Sequence, residues 1–359
     1  MKILLLTNTP KSISVQKLKR EAESRKHTVD LIDPTDLVPY ISSTQSGHDG
    51  MFYKTEENDI KRLYSNKYDV VLPRFSGSTT FAYGLALLQH FAGNLSIPVT
   101  SDALGLMVAS NKFMSHQAFS VAKLRTIPTL FLNQPADFDF IVKKLGLPLV
   151  CKTPLGSQGS GVFILTDELS VSTTLSAFSR VNRNLLLQRF INTGQPKSDI
   201  RAYVVDGQVV AAYRRWALAS DFRSNFSLSH SGEKIKLTYE ETEMAVDAAF
   251  SVGLPGCCGV DICRDHDNND KPYLIEANGN ASLSGITAVT RVNVAAKIID
   301  YCEKIGRKTK SNGTNDSGTK NGLTMFAAGA GFPDTSRQLN NTIALTEDSR
   351  QAVKFMQKY

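Results

Sequence analysis

The sequence predicts an α/β protein, with a parallel sheet in its N-terminal part and an α+β arrangement in the rest. Residues 1–110 alternate short apolar strands with amphipathic helical patterns, and this alternation is typical of a parallel sheet covered by helices on both faces. From about residue 149 onward, strands follow one another through turn signals such as Asp206-Gly207, which indicate antiparallel hairpins.

Each strand is predicted from a short apolar run, and each helix from apolar residues at helical spacing. Strands are expected at residues 2–7, 28–34, 68–74, 127–131, 148–153, 161–166, 185–191, 199–205, 208–216, 257–262 and 272–278. Helices are expected at residues 14–26, 81–92, 111–123, 135–145, 239–253 and 289–305. Gly146 and Pro148 end the fourth helix, because both residues disfavour its continuation. After Gly306 the chain becomes polar and low in complexity, so a flexible linker is expected there.

The bulk composition indicates a globular protein of the cytoplasm. The chain has 359 residues, of which 42% are hydrophobic and 21% charged, and no apolar run approaches the length that spans a bilayer. Its five cysteines lie in apolar contexts, which favours reduced core residues over disulfides or a zinc site. The net charge of +7 is dispersed, so an acidic small molecule or peptide is favoured over a nucleic-acid partner.

Two predicted strands near residue 270 carry a group of oxygen ligands. Asp261 closes the run CCGVDI, and Glu276 and Asn278 share one face of the run PYLIEAN, because alternate side chains of a strand point the same way. Two carboxylates and an amide oxygen form a ligand set that suits Mg²⁺. The alternative is that an Asp and a Glu merely flank a hairpin, and the triad alone does not decide between these interpretations.

The same window imitates an EF-hand calcium loop. Asp265, Asp267 and Asn269 precede Glu276 at EF-hand spacing, but Asp270 stands where that loop requires Gly. Clusters of Asp and Asn between apolar runs are ordinary turn residues. A solvated turn is therefore expected.

The segment VCKTPLGSQGSGV combines a lysine with a Gly-rich turn. Lys152 ends a strand, and the following glycines would let backbone N–H groups approach phosphate oxygens. The segment is not a Walker A motif, since no Lys-Ser/Thr pair follows the glycines. Lys112 opens a predicted helix, where a solvated surface lysine is the ordinary alternative.

A polar run, SDFRSN, follows the strand that contains Arg214 and Arg215. Arg223 in this run offers a planar fork for a phosphate or a carboxylate, and Asn225 offers an amide. Asp199 could accept hydrogen bonds from a ribose hydroxyl or simply begin a strand. In isolation, the run is better interpreted as an ordinary loop with surface arginines.

Taken in order, these segments resemble the RimK-type α-L-glutamate ligases of the ATP-grasp superfamily over about residues 1–305. The matching segments are Lys112 at its helix start, VCKTPLGSQGSGV, LQRFI, SDIRAYVVDGQVVAAYRR, DFRSN, GVDI and LIEAN. The resemblance implies an ATP-grasp fold, in which an N-terminal parallel-sheet domain precedes two α+β subdomains that clamp ATP. The implied divisions are 1–110 for the N-terminal domain, 111–190 and 191–306 for the subdomains, and 307–359 for a flexible linker and tail.

The resemblance also implies a nucleotide site. Lys112 and Lys152 would touch the phosphates, and Asp199 would take the ribose. The Gly-rich loop that would close over the phosphates contains Gly156, Ser157, Gln158, Gly159 and Gly161. The residues implied along the adenine are Gln188, Arg189, Phe190 and Ile191. Family members usually carry Glu then Tyr where this chain has Arg189 and Phe190.

The remaining implied residues concern the metal and the reaction. Mg²⁺, with Mn²⁺ as an alternative ion, would be held by Asp261, Glu276 and Asn278. Ser224 would reach the phosphates together with Arg223 and Asn225. The implied catalytic residues are Arg214 for a substrate carboxylate, with Arg223 and Asn225 for the phosphates and acyl phosphate.

The implied function is that of an ATP-dependent carboxylate–amine ligase. It would add an amino acid, L-glutamate by resemblance, to a carboxylate acceptor such as a peptide or protein C-terminus, through an acyl phosphate and with release of ADP. Two alternatives stay open: a sibling ligase that acts on an amino-group carrier protein or a cofactor tail, and a non-catalytic nucleotide-binding module. A homo-oligomer is also left open, and no membrane partner is expected.

Overall fold

The structure is a computed structural model that describes residues 1–42, 49–55, 57, 59–64, 67–156, 161–180, 184–218 and 231–312. The strands are β1 Lys2–Leu6, β2 Thr28–Ile32, β3 Leu37–Tyr40, β4 Gly50–Lys54, β5 Ile60–Leu63, β6 Val70–Pro73, β7 Thr129–Leu132, β8 Leu149–Lys152, β9 Val162–Leu165, β10 Leu185–Arg189, β11 Ser198–Val205, β12 Gln208–Trp216, β13 Gly232–Lys234, β14 Cys257–Asp265 and β15 Lys271–Asn278. The helices are α1 Ile13–Ser24, α2 Ser78–Gln89, α3 Ala103–Ser110, α4 Lys112–Val121, α5 Phe138–Leu145, α6 Glu168–Arg180, α7 Tyr239–Ser251, α8 Leu283–Thr290 and α9 Val294–Asn312.

The N-terminal part contains the predicted parallel sheet. Its order is β2-β1-β6, and both pairings are parallel. After the exposed Lys2, the strand β1 is apolar, and its residues Ile3–Leu6 are buried in cores on both faces of the sheet. A second, antiparallel sheet of order β3-β4-β5 follows β2. The sequence pattern did not predict this sheet, since its strands have only four or five residues and two of them contain lysine or arginine.

A four-stranded antiparallel sheet of order β7-β10-β8-β9 forms the next unit. One face packs against α5 and α6 through apolar residues such as Leu185 and Leu187. The opposite face carries Lys152 and Gln188, because Lys152 pairs with Leu186 and alternate residues of β10 share a face. Helix α4 contacts this second face, where Phe113 stacks on Phe131 with ring centroids 4.3 Å apart.

The largest sheet has the order β13-β12-β11-β14-β15, and all its pairings are antiparallel. Helix α7 covers one face through Met244, Ala245 and Ala248. Its N-terminus has a complete capping box, in which Thr238 and Glu241 exchange hydrogen bonds. The opposite face packs against α8 and α9 around Tyr203 and Tyr213. The charged residues of the candidate site lie further along this opposite face.

The structure confirms every predicted strand and five of the six predicted helices to within a few residues. The prediction of one helix over 289–305 is wrong. Arg291 adopts a left-handed conformation with φ 60° and ends α8, and a second helix then begins at Val294. Helix α9 continues to Asn312, so the first six residues of the predicted linker 307–359 are helical. Residues 313–359 lie outside the described residues.

The sequence pattern also did not predict helix α6, and the composition of the helix explains why. Its sequence ELSVSTTLSAFSR is rich in Ser and Thr, which are weak helix formers. The helix is held by tertiary packing, with Val171 and Leu175 buried against the four-stranded sheet.

All five cysteines are buried and unpaired, as predicted. Among the helices in the described ranges, none has the length and apolar character needed to cross a membrane.

Close backbone contact fixes α3 against the ends of α7 and β15. A Cβ on Gly105 would lie 2.5 Å from the carbonyl oxygen of Gly253, and one on Gly279 would lie 2.4 Å from Leu106 Cδ2. Real Cβ atoms essentially never lie that close to another atom, so a side chain at Gly105 would push against the backbone of Gly253, and one at Gly279 would displace the Leu106 side chain. The two glycines therefore set how closely the N-terminal helices approach the largest sheet.

We expect Gly105→Ala to lower the free energy of unfolding by about 1–3 kcal/mol, because the added methyl group overpacks a backbone contact. Urea unfolding followed by circular dichroism measures the change. Gly93→Ala is the control, since its Cβ would meet only the flexible Gln89 side chain at 3.6 Å. Equal stability of the two variants would contradict the packing argument.

Candidate nucleotide and metal site

The predicted metal residue Asp261 lies buried at the centre of an ion-pair network. Arg201 donates hydrogen bonds to both of its carboxylate oxygens, and the bond from Nη2 to Oδ2 measures 2.6 Å. The Nη2 atom of Arg215 donates to the same Oδ2 atom at 2.8 Å. One carboxylate is thus shared by two guanidinium groups, and all three side chains are less than a tenth exposed as residues.

The register of the sheet brings these side chains together. Arg201 on β11 lies opposite Asp261 on β14, and Asp261 lies opposite Glu276 on β15. The Nη2 atom of Arg201 is 4.0 Å from Oε1 of Glu276. Asn278 is two residues further along β15 than Glu276 and faces the same side, while the intervening Ala277 is buried in the opposite core. The predicted oxygen triad therefore occupies one face of one hairpin.

Asp199 belongs to the same network. It lies opposite Arg215 in the register of β11 and β12, and accepts two hydrogen bonds from that guanidinium at 2.5 and 2.6 Å. The structure thus places this residue, which the resemblance assigns to a ribose, in a two-point ion pair with a neighbouring strand. Its carboxylate can still accept from a ligand, because an ionised carboxylate offers about four lone-pair positions.

The charges of the network hold Asp261 ionised. Burial alone would raise the pKa of its carboxyl, but the charges and hydrogen bonds of Arg201 and Arg215 outweigh it and keep the pKa below the ordinary value. In return, Asp261 keeps the pKa of Arg201 above its usual value in spite of burial. The five groups Arg201, Arg215, Asp199, Asp261 and Glu276 sum to one negative charge, which favours a bound cation.

The donor set fits Mg²⁺ by its chemistry. Asp261 and Glu276 supply carboxylate oxygens and Asn278 supplies an amide oxygen, as hard divalent cations require. In this structure, Oδ1 of Asn278 accepts a hydrogen bond from the N–H of Asn280 at 2.9 Å. Within the described ranges, no group of three His, Cys, Asp or Glu side chains is arranged to hold a metal ion. The candidate site accordingly depends on the asparagine and on oxygens from a ligand.

Two lysines lie beside the Gly-rich turn. Lys112 is the first residue of α4, whose N-cap is Asn111. Its Nζ donates to the carbonyl oxygen of Gly156 at 2.9 Å, and its backbone N–H donates to Pro154 at 3.0 Å. Gly161 closes the turn with φ 72°, and the N–H of Thr153 donates to its carbonyl. Ser157, Gln158 and Gly159 of the predicted loop lie outside the described residues.

Lys152 links the turn to the metal hairpin. Burial lowers the pKa of its ammonium group, the charge of Glu276 opposes that decrease, and the charge of Lys112 adds to it. Lys152 is therefore close enough to Lys112 and to the carboxylates of the hairpin to interact with them electrostatically. A site with cations on one side and hard oxygens on the other suits a metal-bound polyphosphate.

The predicted adenine segment connects the four-stranded sheet with β11. Gln188 is buried, and Ile191 packs in a small core with Ile127 and Tyr273. The backbone N–H of Arg189 donates to Pro128, and that of Phe190 donates to Pro148 at 3.3 Å.

The side chain of Arg189, where family members usually have Glu, is held away from the backbone of the segment. It forms an ion pair with Asp265 at 3.6 Å and lies over the Tyr273 ring. The Phe190 ring stacks with Lys197, whose Nζ is 4.6 Å from its centroid. Both substituted residues thus have structural partners on neighbouring elements.

The predicted substrate and catalytic residues are not part of the Asp261 network among the described residues. Arg214 forms an ion pair with Glu233 at 3.4 Å and stacks over Trp216. Arg223, Ser224 and Asn225 lie in the range 219–230, outside the described residues. Sequence analysis assigned no role to Arg201. Its signal is the spacing in DIR, which places a cation two residues after Asp199 on the same strand face.

The turn that joins the antiparallel strands β14 and β15 agrees with the prediction of a solvated turn. Residues His266–Asn268 form a short 3₁₀ turn, and Asn269 and Asp270 follow with φ near 50°. This is turn geometry in an antiparallel hairpin and not the loop between two helices that an EF-hand requires.

The fold is that of the ATP-grasp proteins. A RimK domain ATP-grasp protein from Sphaerobacter thermophilus superposes with a TM-score of 0.59 at 15% identity, covering 84% of this chain and 100% of that one. The ATP-grasp ligase PsnB complexed with a minimal precursor gives 0.63 at 16% identity, covering 84% and 98%. The D-alanine–D-alanine ligase of Bacillus anthracis complexed with ATP gives 0.57 at 18% identity, covering 87% and 99%.

Within that class, this chain belongs to the RimK-like ATP-grasp family. The family model of the RimK-like ATP-grasp domain matches residues 109–302, and that of the RimK PreATP-grasp domain matches residues 1–104. A probable alpha-L-glutamate ligase 2 from Pseudoalteromonas atlantica is 34% identical over 321 residues, which are 89% of this chain and 99% of the relative. A probable alpha-L-glutamate ligase from Methanococcoides burtonii is 34% identical over 316 residues, covering 87% and 99%.

These comparisons confirm the predicted ATP-grasp fold, the RimK-like family and the class of ADP-forming ATP-grasp ligase. The domain boundaries and the roles of the individual site residues stay predictions.

We expect Arg201→Met to lower the free energy of unfolding by about 3 kcal/mol, because it leaves a buried carboxylate with one of its two cations. Arg201→Met combined with Asp261→Asn should cost less than the sum of the single changes, since the uncompensated charge is then absent. A double-mutant cycle by urea unfolding measures this coupling.

The control for this cycle is Arg125→Met, which removes a more exposed cation paired with Glu240. That change should cost about 1 kcal/mol or less. Additive effects of Arg201→Met and Asp261→Asn would contradict the shared-charge description of the network.

Proposed function

We propose that this protein joins an amino acid, L-glutamate by its relatives, to the carboxylate of a peptide or protein C-terminus. ATP activates the carboxylate as an acyl phosphate, and ADP and phosphate are released. The observation that carries the proposal is that the buried Lys152 feels the charges of both Glu276 and Lys112, while Lys112 contacts the Gly-rich turn, in a chain of the RimK-like family. Phosphoryl transfer requires positive charge and metal ligands at such proximity.

The proposed reaction has two steps. A carboxylate oxygen of the acceptor attacks the γ-phosphorus of ATP, and the bond from that phosphorus to the oxygen bridging to ADP breaks. The amine nitrogen then attacks the acyl carbon, phosphate leaves and the amine loses a proton. No protein nucleophile takes part, because phosphorylation itself supplies the leaving group.

The side chains contribute positioning and charge neutralisation. Lys112 and Lys152 would bind phosphate oxygens, and Asp261, Glu276 and Asn278 would hold Mg²⁺. Bound Mg²⁺ would neutralise charge on the transferring phosphoryl group, and Mn²⁺ satisfies the same oxygen ligands. Arg201 and Arg215 would orient Asp261, since their hydrogen bonds fix both of its oxygens. Asp199 would accept from a ribose hydroxyl while held by Arg215.

The substrates are proposed from the relatives and from charge. Two relatives are named probable alpha-L-glutamate ligases, and the neighbour PsnB has been seen with a precursor peptide. The net charge of +7 suits an acidic amino acid and a carboxylate acceptor. The buried, unpaired cysteines are in keeping with the reducing cytoplasm.

We expect Asp261→Asn and Glu276→Gln each to abolish ADP release at ordinary Mg²⁺ concentration, because each removes a carboxylate charge needed to hold the ion against water. The measurement is ADP formation with glutamate and an acidic peptide. Asp267→Asn is the matched control. It lies in the solvated turn of the same hairpin and should leave activity unchanged. Turnover near the wild-type rate in Asp261→Asn and Glu276→Gln would refute the metal assignment.

Arg214 is proposed to bind a substrate carboxylate in exchange for its half-exposed partner Glu233. We expect Arg214→Lys to raise the KM of the carboxylate substrate about tenfold and to leave the KM of ATP nearly unchanged, because lysine keeps the charge but loses the two-point geometry. Steady-state kinetics with each substrate varied in turn provides the comparison.

Arg125→Lys is the control for this experiment, since Arg125 also pairs with an exposed glutamate, Glu240. Its kinetic constants should match those of the wild type. A rise in the KM of ATP alone would assign Arg214 to the nucleotide and overturn its proposed role.

A further inference from the structure

The buried side chain of Gln188 has one oxygen that the protein leaves unused. The side chain is on β10, and the residue is 1% exposed. Its amide nitrogen Nε2 is 2.8 Å from Oγ1 of Thr129 and 2.8 Å from Nε2 of His116. Its carbonyl oxygen Oε1 has no hydrogen-bond partner among the described residues. A buried, unpartnered acceptor costs stability, so such an atom in a folded protein calls for a partner that binds later.

Thr129 determines which way the Gln188 amide faces. The hydroxyl of Thr129 donates to the carbonyl oxygen of Ile127 at 2.7 Å, so its proton is committed. Its lone pairs can then only accept, and the neighbouring amide must present N–H to it. The reverse orientation would place two acceptor oxygens against each other.

His116 reinforces the same orientation as a neutral imidazole. Its Nε2 atom accepts from Gln188, and its Nδ1 atom hydrogen-bonds with Thr126 Oγ1. Burial lowers the pKa of His116 to about 3, and the charge of Lys152 adds to this effect, so the ring carries one proton at neutral pH. With that proton on Nδ1, the Nε2 lone pair is free to accept from the amide.

The unused oxygen belongs to the sheet face on which the nucleotide is proposed to bind. Gln188 and Lys152 share this face by the register of β8 and β10. Gln188 is also the first residue of the predicted adenine segment 188–191. An acceptor held here would pair with a hydrogen-bond donor on a purine base.

We propose that His116 and Thr129 are positioning residues that fix the Gln188 amide with its oxygen available to the base, and so select a purine with an amine at its 6-position. Adenine has this amine, whereas hypoxanthine has a carbonyl oxygen at the same place and would meet the acceptor with an acceptor. This inference rests on the proposed nucleotide function and deepens it. Selectivity arises because a mismatched base leaves buried polar groups unpaired.

The test is the binding of ATP and of inosine triphosphate, measured by isothermal titration calorimetry without amino acid or acceptor. Wild-type protein should bind ATP at least tenfold more tightly than inosine triphosphate. Thr129→Val and His116→Leu should each reduce that ratio at least fivefold, because the amide is then free to rotate and present either group. His116→Gln is the control, since its amide oxygen can replace the acceptor Nε2, and it should keep most of the ratio.

Thr129→Val replaces one hydroxyl by a methyl group of similar size and should fold. The comparison of the two nucleotides in this variant is therefore sufficient even if His116→Leu does not fold. Equal weakening of both nucleotides in Thr129→Val would indicate a merely structural role and overturn the proposal. Wild-type protein that binds both nucleotides equally well would overturn this inference alone. Wild-type protein that binds neither would overturn the proposed function together with it.

Discussion

The shared carboxylate of Asp261 is the interaction on which the candidate site depends. A carboxylate in the interior of a sheet is expensive to ionise unless cations accompany it, and two guanidinium groups do so here. Arg215 also pairs with Asp199, so negative and positive side chains alternate along the contacts Asp199–Arg215–Asp261–Arg201. Such an arrangement contributes little net stability compared with an apolar core, and its value lies in holding ionised oxygens at fixed positions.

The fold supplies this arrangement by strand register. The pairs Arg201–Asp261 and Asp199–Arg215 join residues that lie opposite each other on adjacent strands. The contacts of Arg215 with Asp261 and of Arg201 with Glu276 each reach across one intervening strand. Gly259 contributes because a Cβ at that position would lie 3.2 Å from Cδ of Arg201 and 2.5 Å from the Ala281 side chain. The glycine therefore leaves room for the arginine stem beside β14. The helices α7, α8 and α9 cover the apolar parts of the sheet. The carboxylates of its charged part interact electrostatically with Lys152 at the end of β8.

The sequence predicted those parts of the site that are local in the chain. Asp261 and Glu276 occupy one predicted hairpin and Lys152 is next to a Gly-rich turn, whereas Lys112 was assigned to the site through the resemblance to the family. Arg201 pairs with a residue 60 positions away, and Gln188 with a histidine 72 positions away. Nothing in an alternating apolar pattern specifies which strands become neighbours at that distance. The same limit explains α6, whose helix comes from packing against a distant sheet and not from its own residues.

The central claim is that the charged face of the largest sheet and the two lysines together bind a metal–nucleotide complex. A crystal structure of the full chain with ADP and Mg²⁺ tests it most directly. We expect a Mg²⁺ ion between Asp261 and Glu276, with the ADP phosphates against Lys112 and Lys152 and the base beside Gln188. ADP bound away from these residues, with the Arg201–Asp261–Arg215 network free of metal, would contradict it.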